Sequence, residues 1–530
     1  MKSFFITTAI DYTNAPPHLG HAYEKILADV IARYHRLKGA PTFFLTGVDQ
    51  HGQKVQQAAQ REDIPVEKFV DQTTEKFLAL WKKLDLSYDA WAATTSPLHK
   101  TCVRKILQTL YEKGELYKAS YRGFYSVRQE QFLTDKERGP DGAFGLEWGE
   151  VIELEEENWY FRLARYRDWL LAFLDTHPAC VSPAFRQQEL RNAAEKLSSD
   201  LSISRPKSRL AWGIELPFDS SCVTYVWFDA LVNYISFAGY LEDDVAFRER
   251  WPALHVIGKD ILIPAHGIYW LAMLKAMGFA DDEMPTFLVH GYVLVDGDKM
   301  SKSLGNIRDP NTFADHFGVE ALRYYLMRDC VVGQDMDFTD ERLIQRFNSE
   351  LANGLGNLVN RTLTMAHRYR GGRLCPSIQG GLRDRALAAT RAYAEAMEAG
   401  SINLALEKVA ELVTEANQFV ERSAPWKLAR ETNNEAQLDG ILYHLAEVIR
   451  LIAIMISPVI PKAAADILEQ LNWTGPLALA EASWGVLPEG HQLGKPQPIF
   501  PRIEVEHPDT AVASAETLPS AANPRKKRMG

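Results

Sequence analysis

Near its start the chain carries two apolar, β-rich runs, SFFITTAI and PTFFLTGVD, separated by one amphipathic stretch. In that stretch Ile26, Val30, Ile31, Tyr34 and Leu37 recur at helical spacing and define one buried face. Strand, helix and strand in this order form a βαβ unit. Such a unit belongs to a parallel sheet with helices packed on it, so the N-terminal part is committed to an α/β fold. The first run begins almost at Met1, a reading that leaves no room for a signal or transit peptide.

The 530 residues exceed what one hydrophobic core organises, and two to four domains are expected. Changes in texture set the boundaries. Residues 1–113 read as the first half of a Rossmann-type parallel domain. Residues 114–217, crowded with glycines, charges and aromatics, read as an inserted, partly β connective domain. Residues 218–339 restore the strand-and-helix pattern and complete the split domain. Residues 340–505 carry apolar residues at three and four spacings and predict an all-α helical bundle. Residues 506–530 are poor in large apolar residues and read as a disordered tail.

Composition narrows the function classes. No run of about 18 uncharged apolar residues occurs, so no membrane segment is predicted. Five scattered cysteines, none in a C-x-x-C pair, argue against a disulfide framework or a cysteine-based zinc site and for a cytoplasmic protein. A net charge of −10 does not advertise a nucleic-acid binder, but local patches rather than totals guide phosphates.

In NAPPHLGH, His18 and His21 flank Leu19 and Gly20 where a strand gives way to the helix. Such a pair can ligate a metal, hold a phosphate or simply pack. A metal wants further ligands, and no pattern such as H-E-x-x-H supplies them. For a phosphate, the helix start offers free backbone N–H groups, Gly20 lets a ligand approach the backbone, and two imidazole N–H groups add donors. DGDKMSKSLGN favours the phosphate reading. It puts Lys299 and Lys302 three apart in a glycine-flanked loop after a strand, suited to a pyrophosphate leaving group.

H-x-G-H followed by K-M-S-K-S resembles the signature pair of class I aminoacyl-tRNA synthetases. YTNAPPHLGHAY, FFLTGVDQHG, VTYVWFDALVNY, HVIGKDILIPAHGIYW and HGYVLVDGDKMSKSLGN together closely resemble the methionyl-tRNA synthetases of bacterial or organellar type, in family order over about residues 4 to 500. The resemblance implies activation of methionine by ATP with Mg²⁺, then transfer to the 3′ end of methionine tRNA, elongator and initiator. It implies catalytic roles for His18, His21, Lys299 and Lys302, with Gly20 and Ser301 also at the ATP. It implies a methionine site of Ile10, Tyr12, Asp49, Trp227, Ala230, Leu231, Tyr234, His266 and Trp270. Asp49 would pair with the substrate ammonium, and the aromatics suit a polarisable thioether. Asn357, Arg361 and Trp426 match the family's anticodon-reading elements.

Three departures qualify the match. DILIPAHGIYW is one residue longer before His266 than in other relatives, which leaves Pro264 and Ala265 both candidates to face the thioether. Ser126 and Gln129 stand where many relatives have the first cysteine pair of a zinc knuckle, so no structural zinc is expected. No further C-terminal tRNA-binding domain follows the bundle, and a monomer is expected.

Overall fold

The structure, a computed structural model, describes residues 2–127, 131–133, 135–139, 141–300, 306–376, 381–431 and 433–504. Gln129, Ser301, Lys302 and the 506–530 tail lie outside these described residues.

Seven strands form the expected parallel sheet: β1 (Phe4–Thr8), β2 (Asp11–Tyr12), β3 (Thr42–Asp49), β4 (Ala90–Ala93), β5 (Val181–Ser182), β6 (Leu254–Gly258) and β7 (Thr286–His290). Every neighbouring pair runs parallel. The chain leaves β1 for β3 on one side and much later reaches β6 on the other. A crevice therefore opens at the carboxyl ends of β1 and β6, where open α/β sheets place their ligands. β5 lies within 114–217, yet it pairs with β7 at the edge of this sheet.

Helix α1 (Leu19–Leu37) connects β1 and β2 to β3. Its expected face is buried, but so are Glu24, Lys25 and Asp29 on other sides. One buried face was too modest an expectation: the sheet covers one flank of α1 and the helical region covers another. A single apolar core runs from Ile26, Val30 and Tyr34 into Leu322, Leu406 and Leu445.

Within the inserted stretch, Leu116–Ser126 and Val151–Phe161 pair antiparallel along their whole lengths, flanked by Gln131–Leu133 and Leu201–Ser202. Ser126 is buried and its hydroxyl donates to the carbonyl of Trp148 at 2.5 Å. Among the described residues, no group of three or more His, Cys, Asp or Glu side chains is placed to hold a metal.

Helix α2 (Val226–Leu231) beside the sheet carries site residues, and α3 (Val319–Asp329) lies ahead of the bundle. The bundle packs α4 (Asn357–Arg370) with helices Arg383–Glu398, Ile402–Ser423, Glu435–Ile456 and Pro461–Gln470. Among the described residues, no helix is long and apolar enough to cross a membrane.

Candidate active site

A cavity of about 450 Å³ opens at the carboxyl ends of β1, β3, β6 and β7. His18, Gly20, His21 and Lys299 line one part of it. Ile10, Tyr12, Asp49, Trp227, Ala230, Leu231, Tyr234 and His266 line another. Residues scattered over some 280 positions thus share one chamber. Asp49 ends β3, and the parallel register sets Tyr12 opposite it.

The histidines cap their own helix. The Gly20 N–H donates to His18 Nδ1 at 3.1 Å, and the His18 N–H donates to His21 Nδ1 at 3.0 Å. The two rings stack with centroids 3.8 Å apart. Because each Nδ1 accepts, each neutral ring carries its proton on Nε2. Burial, reinforced by Lys299, pushes His18 down to about 4, and burial, reinforced by the neighbouring His18, holds His21 well below the usual histidine range. Near neutral pH both are uncharged Nε2–H donors.

One expectation is corrected here. The backbone donors at the start of α1 are not free: Leu19 N–H bonds Arg308 O, and His21 and Ala22 N–H bond His18 O. Gly20 lines the cavity, and a Cβ there would also meet the His18 ring at 3.0 Å.

Below the histidines lies a buried charge cluster that sequence reasoning missed. Lys25 Nζ bonds Asp11 at 2.6 Å, Glu24 at 2.9 Å and the Ala9 carbonyl at 2.9 Å. His290 Nε2 lies 3.0 Å from the other Glu24 oxygen. Glu24, held by Lys25 and His290 against the opposing effect of burial, sits at about 2. Among the described residues Asp11 bonds Lys25 alone, with His21 4.0 Å away, and its Oδ2 has no hydrogen-bond partner. Burial pushes it up to about 7. The signal was a lysine four residues after His21, one turn along the same helix.

At the cavity mouth, Lys299 Nζ lies 3.4 Å from Asp260 Oδ2 and 3.9 Å from the Tyr292 ring centroid. Burial disfavours its charge, but Asp260 outweighs that and the ammonium stays above the usual lysine range.

At the apolar end, His266 Nδ1–H donates to the Ile261 carbonyl at 2.8 Å, so its Nε2 accepts the Tyr234 hydroxyl at 2.7 Å. Burial lowers His266 to about 4, which keeps this arrangement neutral. The two polar tips satisfy each other and leave a weakly polar wall. Trp270 is not part of that wall. It is fully buried behind Tyr234, where its indole N–H donates to His255 Nε2 at 3.2 Å. Neither Pro264 nor Ala265 reaches the cavity; Ile261 does. Leu262–Trp270 is a widened, π-helical stretch broken by extended backbone at Ile263.

In the bundle, Asn357 and Arg361 lie one turn apart on α4, and the Arg361 guanidinium is 5.9 Å from the Trp426 ring centroid. Arg361 also pairs with Glu421 at 2.8 Å. Trp426 is only partly buried, against the bundle core.

Two stacked histidines over a parallel-sheet crevice, an opposed lysine loop and an appended helical bundle define a class I aminoacyl-tRNA synthetase. The sequence matches the family described as "tRNA synthetases class I (M)" over residues 4–141 and 148–363. Residues 376–513 match the "Anticodon binding domain of methionyl tRNA ligase". The chain belongs to the methionyl-tRNA synthetase family, the methionine–tRNA ligases. It is 40% identical to the methionine–tRNA ligase of Deinococcus radiodurans over 542 residues, covering 100% of this chain and 78% of that protein. The Thermotoga maritima methionine–tRNA ligase is 40% identical over 513 residues, covering 95% and 81%. The Mycobacterium tuberculosis methionyl-tRNA synthetase in complex with methionyl-adenylate superposes with a TM-score of 0.89 at 37% identity, covering 95% of this chain and 100% of that one.

Proposed function

We propose that this ligase runs both half-reactions through the cavity just described. In the first, a methionine carboxylate oxygen attacks the α-phosphorus of ATP. The bond to the β-phosphate oxygen breaks, leaving methionyl-adenylate and pyrophosphate. In the second, a 3′-terminal hydroxyl of the tRNA attacks the adenylate carbonyl and releases AMP. The nucleophilic carboxylate is already ionised near neutral pH, so the first step needs positioning and charge stabilisation more than a base.

The chamber's two ends support a division of labour. Asp49 holds the methionine ammonium, while Ile10, Tyr12, Trp227, Ala230, Leu231, Tyr234 and His266 enclose the side chain. Trp270 backs Tyr234 from the core. The Nε2–H groups of His18 and His21 donate to phosphate oxygens, Gly20 keeps the His18 ring in place, and Lys299, Ser301 and Lys302 meet the departing pyrophosphate. Magnesium enters with its nucleotide as MgATP. Asn357, Arg361 and Trp426 read the anticodon of methionine tRNA, elongator and initiator. The inserted sheet works without zinc, and the enzyme acts as a cytoplasmic monomer, in keeping with five unpaired cysteines.

The observation that carries this reading is the pair of neutral Nε2–H donors sharing one cavity with Asp49 and Lys299. Methionine-dependent ATP–pyrophosphate exchange tests it, comparing wild type with Lys299→Ala and Lys302→Ala. Exchange should fall on the order of 100-fold in each variant. Equal rates in all three proteins would remove the lysines from the mechanism.

A further inference from the structure

Behind the side-chain wall lies a second buried cluster that the mechanism does not use. Asp229 is 1% exposed, and both its oxygens are taken by imidazoles. His51 Nδ1 lies 2.7 Å from Oδ2, and His99 Nε2 lies 2.8 Å from Oδ1. His99 Nδ1 in turn meets the Ser236 hydroxyl at 2.8 Å. His51, His99 and Ser236 are all buried. Facing the two histidine donors, against the opposing effect of burial, Asp229 sits at about 2 and is ionised near neutral pH.

The cluster joins three elements. His51 comes two residues after Asp49, at the end of β3. His99 lies in the first turn of helix Pro97–Glu112, whose start is fixed by Ser96 Oγ accepting the His99 N–H. Asp229 lies on α2, which has only six residues and cannot hold its shape alone. Positions 227, 230, 231 and 234 form the cavity-facing stripe of α2 and the turn after it. Asp229 projects from the back of that stripe. Two hydrogen bonds to one carboxylate fix both where α2 sits and how it is rotated. The His51 backbone is steadied as well: the neighbouring Gln50 N–H donates to Thr94 Oγ1 at 2.9 Å, and the Gln50 carbonyl accepts the Trp212 indole N–H at 2.5 Å.

The route from Asp49 through His51 and Asp229 to Trp227 and Ala230 is therefore short and made of buried, hydrogen-bonded parts. It spans the two ends of the amino-acid site. We infer that the His51–Asp229–His99 bridge sets amino-acid selectivity by fixing the distance between Asp49 and the Trp227–Ala230 wall. Asp229 is then a positioning residue, acting through α2 without touching substrate. The inference rests on the proposed reading of Asp49 as the ammonium partner.

The test is ATP–pyrophosphate exchange by the full chain with methionine, norleucine and ethionine, the last one methylene longer. Asp229→Asn keeps the volume and removes the charge that orders both donors. It should raise the methionine KM at least about tenfold and leave the ATP KM within about twofold. It should also shift the ethionine-to-methionine ratio of kcat/KM by at least about fivefold toward ethionine. Should Asp229→Asn fail to fold, His99→Leu, which removes one of the two donors, is read by the same measures. A folded variant with wild-type methionine KM and selectivity overturns the inference. So does one whose ATP and methionine KM values rise together. Asp49→Asn separates the two claims: a wild-type methionine KM there defeats the reading of the pocket itself, and the inference with it.

Discussion

The backbone N–H of His18 donates to Nδ1 of His21 at 3.0 Å, so the second histidine of the signature caps the first. His18 Nδ1 is likewise occupied by the Gly20 N–H. Structure and chemistry are divided between the two nitrogens of each ring: Nδ1 holds the helix start, and Nε2–H is left for the ligand. Asparagine can replace the Nδ1 acceptor but cannot reach as Nε2 does. His18→Asn and His21→Asn should therefore keep the melting temperature within a few degrees. Each should lose exchange activity on the order of 100-fold or more. His18→Ala should lose the same activity and about 1 kcal/mol of stability besides, because the cap goes too. Thermal melts beside exchange rates would separate the roles; an active His18→Asn would assign catalysis elsewhere.

Asp11 makes the fold sensitive to pH in a window unusual for a carboxylate. Its folded-state value of about 7 lies above that of an exposed aspartate, about 3.9. The native state then binds this proton more tightly than the unfolded state. The stabilisation is full below about pH 4 and is lost as pH rises through about 7. Glu24, at about 2, has the opposite sign, and its contribution is lost only as pH falls toward that value. His18, His21 and His266, held below the usual histidine range by burial, act the other way, and their contribution to stability grows as pH rises to about 6.5. Above about pH 6.5 those histidines are neutral in both states, so wild type should lose melting temperature between about pH 6.5 and 8 through Asp11, and Asp11→Asn should flatten that fall. A variant with the wild-type slope would place the titration on another group.

How much of this was readable in advance depends on the range of the interaction. The wall residues Trp227, Ala230, Leu231 and Tyr234 were implied by the family resemblance, and their helical spacing agrees with the one stripe they form along the cavity. The same spacing fails for Trp270. It lies four residues after His266, but the turn between them is widened, so the indole rotates into the core. The parallel sheet was legible because β1, α1 and β3 are consecutive. The return of β5 to its edge was not, since two residues carry no pattern of their own. The Asp11–Lys25–Glu24 cluster and the Asp229 bridge were hidden for another reason. Charged and polar residues read as solvated until the chain that covers them is known, and that chain lies far away in sequence.

Arg361 and Trp426 give the anticodon proposal a sharp form. The guanidinium lies 5.9 Å from the ring centroid and is also paired with Glu421, so it is held without being sealed in. A partly exposed tryptophan beside a fixed cation can stack a splayed base. Trp426→Ala should cost about 1–3 kcal/mol in kcat/KM for tRNA in aminoacylation. Exchange without tRNA should be unchanged, because the indole packs against the bundle and does not line the catalytic cavity. Equal losses in both assays would show damage to the fold instead.

Arg323 ties the catalytic half to the bundle. Its side chain is fully buried on α3 and donates to Asp29 on α1 at 2.7 Å, to Leu84 O at 3.1 Å, and to Val459 O and Pro458 O at 2.7 and 3.2 Å. One turn earlier, Glu320 accepts the N–H groups of Lys462 and Ala463 at the start of the last bundle helix. Asp29 is held below the usual carboxylate range by Arg323 despite its burial. Asp29 keeps a second partner in Arg33 at 2.7 Å, so Asp29→Ala, which strands the buried Arg323 charge, should cost about 3–5 kcal/mol and Arg323→Met less. Removing both charges relieves that penalty. Asp29→Ala combined with Arg323→Met should therefore be less destabilised than the sum of the two single changes, by about 1–3 kcal/mol in urea unfolding. Strict additivity would mean that the carbonyl contacts of Arg323, and not its ion pair, hold the two halves together.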